Sequence, residues 1–175
     1  MVGKKLSLPD IKVGDVFATK NPMVLGRVIN FIQAIWAKDS KSTYSHAGII
    51  TDQNGGTFES LWTIKRSNLA GYRGEKVIIA RWGNGKFQDK VAKLQKLMWE
   101  YGGQWYPMWR LPMHLIPPLA KISIIKRPVC SELVAKYLYL LGARHGQWAG
   151  TNPDTLVDEW RKWRDFEIIF EGVLE

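Results

Sequence analysis

The run Asp52-Gln53-Asn54-Gly55-Gly56 constrains this chain more than any other, because it dictates a pairing between two separate strands. It lies between Tyr44 to Thr51 and Gly56 to Trp62, both of which read as strands. An Asn-Gly pair between such runs is a strong hairpin signal, since both residues tolerate the positive φ a tight turn demands. His46 lies near the start of the first strand and Glu59 on the second. With the turn centred near Asn54 the two fall roughly opposite one another, where side chains on one face approach to about 5 Å between Cβ atoms. Glu59 can then accept a hydrogen bond from one ring nitrogen, fix the tautomer and leave the other nitrogen for a different group. The plainer alternative is a satisfied core histidine beside a solvated strand carboxylate.

The remaining pattern alternates less regularly. Ile11 to Ala18 reads as a short strand with a turn at Val13-Gly14-Asp15. Asn21-Pro22 supplies an N-cap and a first-turn proline for a helix from about Met23 to Lys38. Lys76 to Arg81 is a Val/Ile-rich strand, and Phe87 to Tyr101 an amphipathic helix ended by Gly102-Gly103. The stretch from Trp105 to Pro128 is irregular, aromatic and proline-rich. A third helix spans Cys130 to Leu141 and is closed by Gly142; a short helix runs from Pro153 to about Trp163, and Phe166 to Phe170 is a last strand. Strands and helices segregated in this way predict an α+β fold, with an antiparallel sheet packed against helices and the Cys130 helix C-terminal to most of the sheet. A length of 175 residues, 46% of them hydrophobic and 23% charged, suits a single globular domain over 1–175.

Cys130 is the only cysteine, so no internal disulfide holds the fold. It stands where the proline-containing segment gives way to a helical pattern. A thiol at a helix N-terminus meets the positive end of the helix dipole, a placement that favours the ionised nucleophile. The alternative is a buried small hydrophobe, the common fate of a lone cysteine. One cysteine and three scattered histidines, His46, His114 and His145, match no metal-ligand spacing, and no Gly-rich phosphate loop precedes a helix; neither metal nor cofactor is expected. The net charge of +9 suits an anionic surface or an acidic polymer without pointing to specific nucleic-acid binding. Met1 to Leu6 begins like a signal peptide, but Pro9, Asp10, Lys12 and Asp15 interrupt it, and no run reaches the roughly 18 apolar residues of a membrane span. The expectation is synthesis in the cytoplasm, with delivery to the cell envelope by phage or a secretion machine left open. The apolar stretch 108–119, which contains His114, reads either as a lid or acyl-binding wall or as core filling.

Several stretches, in order, resemble a known family. They are Val13-Gly14-Asp15-Val16, Leu25-Gly26-Arg27-Val28-Ile29 followed by Tyr44-Ser45-His46-Ala47-Gly48-Ile49, and Phe58-Glu59-Ser60; then Tyr101-Gly102-Gly103-Gln104-Trp105-Tyr106, Cys130-Ser131-Glu132-Leu133-Val134 and Asn152-Pro153-Asp154-Thr155-Leu156. The set resembles the circularly permuted NlpC-type papain-like cysteine hydrolases, in particular the YiiX-like group, and is more distantly similar to the lecithin retinol acyltransferase group. The order His46, Glu59, Cys130 fits a permutation, because ordinary papain-like enzymes place the cysteine first. The resemblance implies Cys130 as nucleophile, His46 as base and acid, Glu59 as its orienter, and the Cys130 backbone N–H and the Tyr106 hydroxyl as oxyanion donors. It implies an amidase or endopeptidase acting through a thioester, on peptidoglycan peptides or related amides. The alternatives are an acyl-ester hydrolase or acyltransferase, and a binding module without catalysis.

Overall fold

The structure, a computed structural model, describes residues 10–20, 43–105 and 128–175. The expected helix over 23–38, the 108–119 stretch and Tyr106 lie outside the described residues. Six strands form one antiparallel sheet: β1 Val16–Thr19, β2 His46–Ile50, β3 Gly56–Ser60, β4 Ile64–Asn68, β5 Lys76–Trp82 and β6 Phe166–Val173. Their order across the sheet is β4-β3-β2-β1-β5-β6. Among the described residues the helices are α1 Phe87–Tyr101, α2 Cys130–Leu141 and α3 Pro153–Lys162, with a 3-10 turn at Leu69–Tyr72 between β4 and β5. The architecture is therefore α+β.

The central strands of the sheet are buried on both faces, which explains why β2 and β5 read as nearly continuous apolar runs. One face sets Val16, Ala18, Ala47, Ile49, Phe58, Ile78 and Ala80 against α1, α2 and α3 through Leu94, Leu97, Leu133, Tyr137, Leu156 and Trp160. The other sets Phe17, Ile50, Val77 and Ile79 against Ile11, Leu69, Tyr72 and Leu174. In α1 the buried residues Lys90, Leu94, Leu97 and Tyr101 recur at helical spacing on a single stripe. α2 carries more buried residues than α1 and stops at Gly142, whose φ of 76° is left-handed and lets its N–H close on the last turn. α3 starts as its sequence predicts: Pro153 occupies the first turn and the Asn152 side chain accepts from the Thr155 N–H at 2.7 Å.

Three differences from the sequence reading have physical causes. The first strand begins at Val16 rather than Ile11, because Val13-Gly14 turns and the Asp15 carboxylate accepts the Lys12 N–H at 2.7 Å. Strand β4, Ile-Lys-Arg-Ser-Asn, adds to the strands the pattern predicts: it is a sheet edge with Lys65 and Arg66 exposed, so it shows no apolar alternation. Strand β6 runs three residues past Phe170 to Val173 and pairs with β5 on both sides of an irregularity at Ile79/Ala80, where Ile169 has no β5 partner. Among the described residues, no helix is long and apolar enough to cross a membrane.

Candidate active site

The β2–β3 hairpin brings His46 and Glu59 together, though not by direct opposition. Gly48, not His46, pairs with Glu59. Side chains two residues apart on a strand share a face, so this even offset keeps His46 and Glu59 on the same side and sets them diagonally. The His46 Nε2 and Glu59 Oε2 atoms lie 2.7 Å apart, with 2% and 0% of the side chains exposed. The space for this diagonal bond comes from Gly48. A Cβ there would lie 2.6 Å from Phe17 Cε1 and 2.8 Å from Glu59 Cγ.

The chain entering β2 is held by α3. The Asp154 carboxylate accepts the backbone N–H of Thr43 at 3.2 Å and of Tyr44 at 2.9 Å, two residues before His46. The Pro153-Asp154 turn thus fixes the strand that carries the histidine.

Cys130 is the first residue of α2 and is buried. Its side chain acts electrostatically on the His46 ring and raises the proton affinity of the imidazole. Since Nε2 faces Glu59, Nδ1 is the nitrogen left for the thiol. The start of α2 is fixed from three sides. Ser60 Oγ, at the end of β3, donates to the Pro128 carbonyl at 3.2 Å. The Glu132 carboxylate accepts the Val129 N–H at 3.0 Å through one oxygen and the Gly150 N–H at 2.8 Å through the other. Ser131 Oγ donates to the Thr151 carbonyl at 2.7 Å. The two residues after the cysteine therefore clamp the 150–151 loop to the helix that presents it.

Glu59 has two further donors, Thr57 Oγ1 and the Tyr72 hydroxyl. The Tyr72 ring also stacks on the His46 ring, with centroids 5.8 Å apart and planes 29° from parallel, while Phe17 meets His46 edge-on. Sequence reasoning passed over both hydroxyls. Thr57 had a legible signal, because it precedes Glu59 by two residues on the same strand face. Tyr72 had none, since it follows an edge strand that the pattern did not reveal.

These contacts set the charge state. Burial alone would push the His46 pKa down, but its interactions with Cys130 and Glu59 outweigh it and hold the imidazole up at about 10, from an ordinary 6.5. Burial pushes the Glu59 carboxyl up, and the bonds from His46, Thr57 and Tyr72 overcome that and hold it below the usual carboxylate value of 4.5. The two shifts give a pH signature. A raised histidine contributes stability in full below 6.5 and loses it as pH rises toward 10, while a depressed carboxyl contributes in full above 4.5 and loses it on acidification. The difference in melting temperature between the native chain and Glu59→Gln is therefore expected to peak between pH 4.5 and 6.5 and to shrink on both sides, as thermal melts across pH would record.

Of the residues singled out in the sequence, the structure brings Cys130, His46 and Glu59 together. Tyr106 lies outside the described residues, as does His114. His145 is exposed in the turn after α2, apart from this cluster.

The fold has a solved counterpart. The chain is similar to the metalloprotein YiiX from Escherichia coli O157:H7, with 20% identity, a TM-score of 0.54, and coverage of 95% of this chain and 89% of that one. That likeness extends to the fold alone. No family model matches the chain, and no curated protein does. The donor set here does not suit a resident metal ion. Glu59 already receives three protein donors, His46 Nε2 is one of them, and among the described residues no three His, Cys, Asp or Glu side chains gather in a metal-binding group.

Proposed function

We propose that the chain is a cysteine hydrolase of the amidase or endopeptidase type, with Cys130 as nucleophile, His46 as proton carrier and Glu59 as the orienting carboxylate. The observation that carries this reading is the buried cluster Cys130, His46 and Glu59, in which His46 Nε2 bonds the carboxylate at 2.7 Å and the imidazole is held charged by both Cys130 and Glu59. The shared fold with YiiX and the order His46, Glu59, Cys130 support a circularly permuted papain-like enzyme of the NlpC type.

In this reading Cys130 Sγ attacks the carbonyl carbon, and the oxyanion meets the Cys130 N–H. As the first residue of α2, Cys130 has a backbone N–H with no intrahelical acceptor, which leaves it available for that purpose. His46 passes its proton to the departing amine nitrogen, the C–N bond breaks, and a thioester remains on Cys130. Water then attacks the thioester carbonyl, His46 takes the water proton, and the C–S bond breaks to release the acid and restore the pair. Amines are poor leaving groups unless protonated, so an imidazole held charged up to about pH 10 supports amide cleavage over ester cleavage. The net charge of +9 supports substrates with carboxylates, such as peptidoglycan stem peptides.

Muropeptides and long-chain acyl esters, incubated separately with the chain and with Cys130→Ala, test this. Amine release from the muropeptides, abolished by Cys130→Ala, is the expected outcome. Turnover of the esters alone would replace the amidase reading with an acyl-hydrolase or acyltransferase, and turnover of either by Cys130→Ala would overturn the nucleophile.

A further inference from the structure

The Glu59 carboxylate is completely buried, and burial favours a neutral pair in which the Nε2 proton of His46 has moved to Glu59 Oε2. That transfer would leave a neutral imidazole, whose remaining Nδ1 proton is far less acidic than that of the charged ring and a poor donor to a leaving group. Two hydroxyls stand against it. Thr57 Oγ1 donates to Oε1 of Glu59, and the Tyr72 hydroxyl donates to Oε2, the same oxygen that meets His46. Both oxygens of the carboxylate are thus engaged by donors from two elements, β3 and the 3-10 turn. A protonated carboxyl is a weaker acceptor than a carboxylate, so each of these bonds favours the ionised form.

We infer that Thr57 and Tyr72 are positioning residues that keep the shared proton on His46 by holding Glu59 as a carboxylate; the consequence for turnover rests on the hydrolase reading. The groups facing the pair are consistent with this. Phe17 from β1 and the Tyr72 ring enclose the imidazole without supplying charge, and Cys130 from α2 favours its charged form. Burial and the Glu59 charge push the Tyr72 phenol far up, so it stays protonated and remains a donor. Tyr72 acts a second time through its stacked ring, which limits rotation of His46 away from both partners.

Nitrogen-15 NMR of the His46 ring in the resting protein at neutral pH reads the proton directly. In the native chain both ring nitrogens are expected to be protonated. In Thr57→Val/Tyr72→Phe the Nε2 signal is expected to move toward the unprotonated range, with kcat down about tenfold and KM unchanged. Tyr72→Phe alone keeps the stacked ring and is expected to shift Nε2 in the same direction by a smaller amount, so it serves even where the double variant does not fold. An Nε2 signal identical in the native chain and in Tyr72→Phe would overturn the inference. Because the spectrum needs no substrate, a native chain inactive on every amide and ester would defeat the hydrolase reading while leaving the proton placement decided.

Discussion

His46→Ala is expected to lower kcat/KM by about a thousandfold while the chain stays folded. The reason is the double engagement of the ring. Nε2 bonds Glu59 at 2.7 Å and the charged ring is coupled to Cys130, so one substitution removes both the charge partner of the nucleophile and the acid for the leaving group. Alanine also leaves Glu59 with only its Thr57 and Tyr72 donors in a buried site. Burial of a carboxylate short of a partner disfavours its charge, so Glu59 should titrate higher in the variant than in the native chain. Kinetics on the muropeptide substrate check the first effect. The native pH profile checks its cause: kcat/KM should hold through neutrality and fall as His46 loses its proton near pH 10.

Gly48→Ala is expected to damage both stability and turnover. Gly48 lies in the middle of β2 between β1 and β3, directly opposite Glu59. Its backbone needs no unusual φ, so the requirement is for space. The added methyl would lie 2.6 Å from the Phe17 ring and 2.8 Å from the Glu59 stem, inside the distance real carbon atoms adopt. Phe17 is fully buried and has nowhere to retreat. Overpacking of this kind costs about 1–3 kcal/mol, or roughly 2–12 °C in melting temperature for a domain of this size. Glu59 is the more movable neighbour, and its displacement would stretch the bond to His46. The variant should therefore lose kcat beyond what its reduced stability explains when assayed well below its melting temperature. An unchanged kcat together with a lowered melting temperature would separate Gly48 from the site and leave it a packing residue.

Much of this was legible because punctuation in the sequence is local. Asn54-Gly55 marks the hairpin, and Gly55 does adopt a positive φ of 84°. Gly102 and Gly142 end α1 and α2 where the apolar stripes end, and Asn152-Pro153 opens α3. Register was less legible. Turn residues locate a hairpin without fixing which residues pair, and the two-residue offset that puts Gly48 opposite Glu59 follows from how the strands pack across the sheet. The edge strand β4 leaves no mark in the pattern because a strand that exposes Lys65 and Arg66 has no need of alternation. Tyr72 was hidden for the same reason: it is placed against His46 by a turn that starts where β4 ends. Glu132 stands three residues after the N-cap, where a capping box puts its acid, but Val129 occupies the cap itself, so the usual Ser/Thr partner was absent and only the acid half of the motif operates. Chemistry carried by residue type at a helix start or strand start could be read; support supplied through contacts distant in sequence could not.

The most direct measurement is the rate at which Cys130, the single thiol, is alkylated by iodoacetamide at pH 6 in the native chain and in His46→Ala, followed by intact-protein mass. Only the thiolate reacts, so a thiol activated by its histidine is expected to be modified at least about tenfold faster in the native chain than in the variant. Equal rates in the two proteins would show that His46 does not activate Cys130, and the assignment of this chain as a cysteine hydrolase would fall.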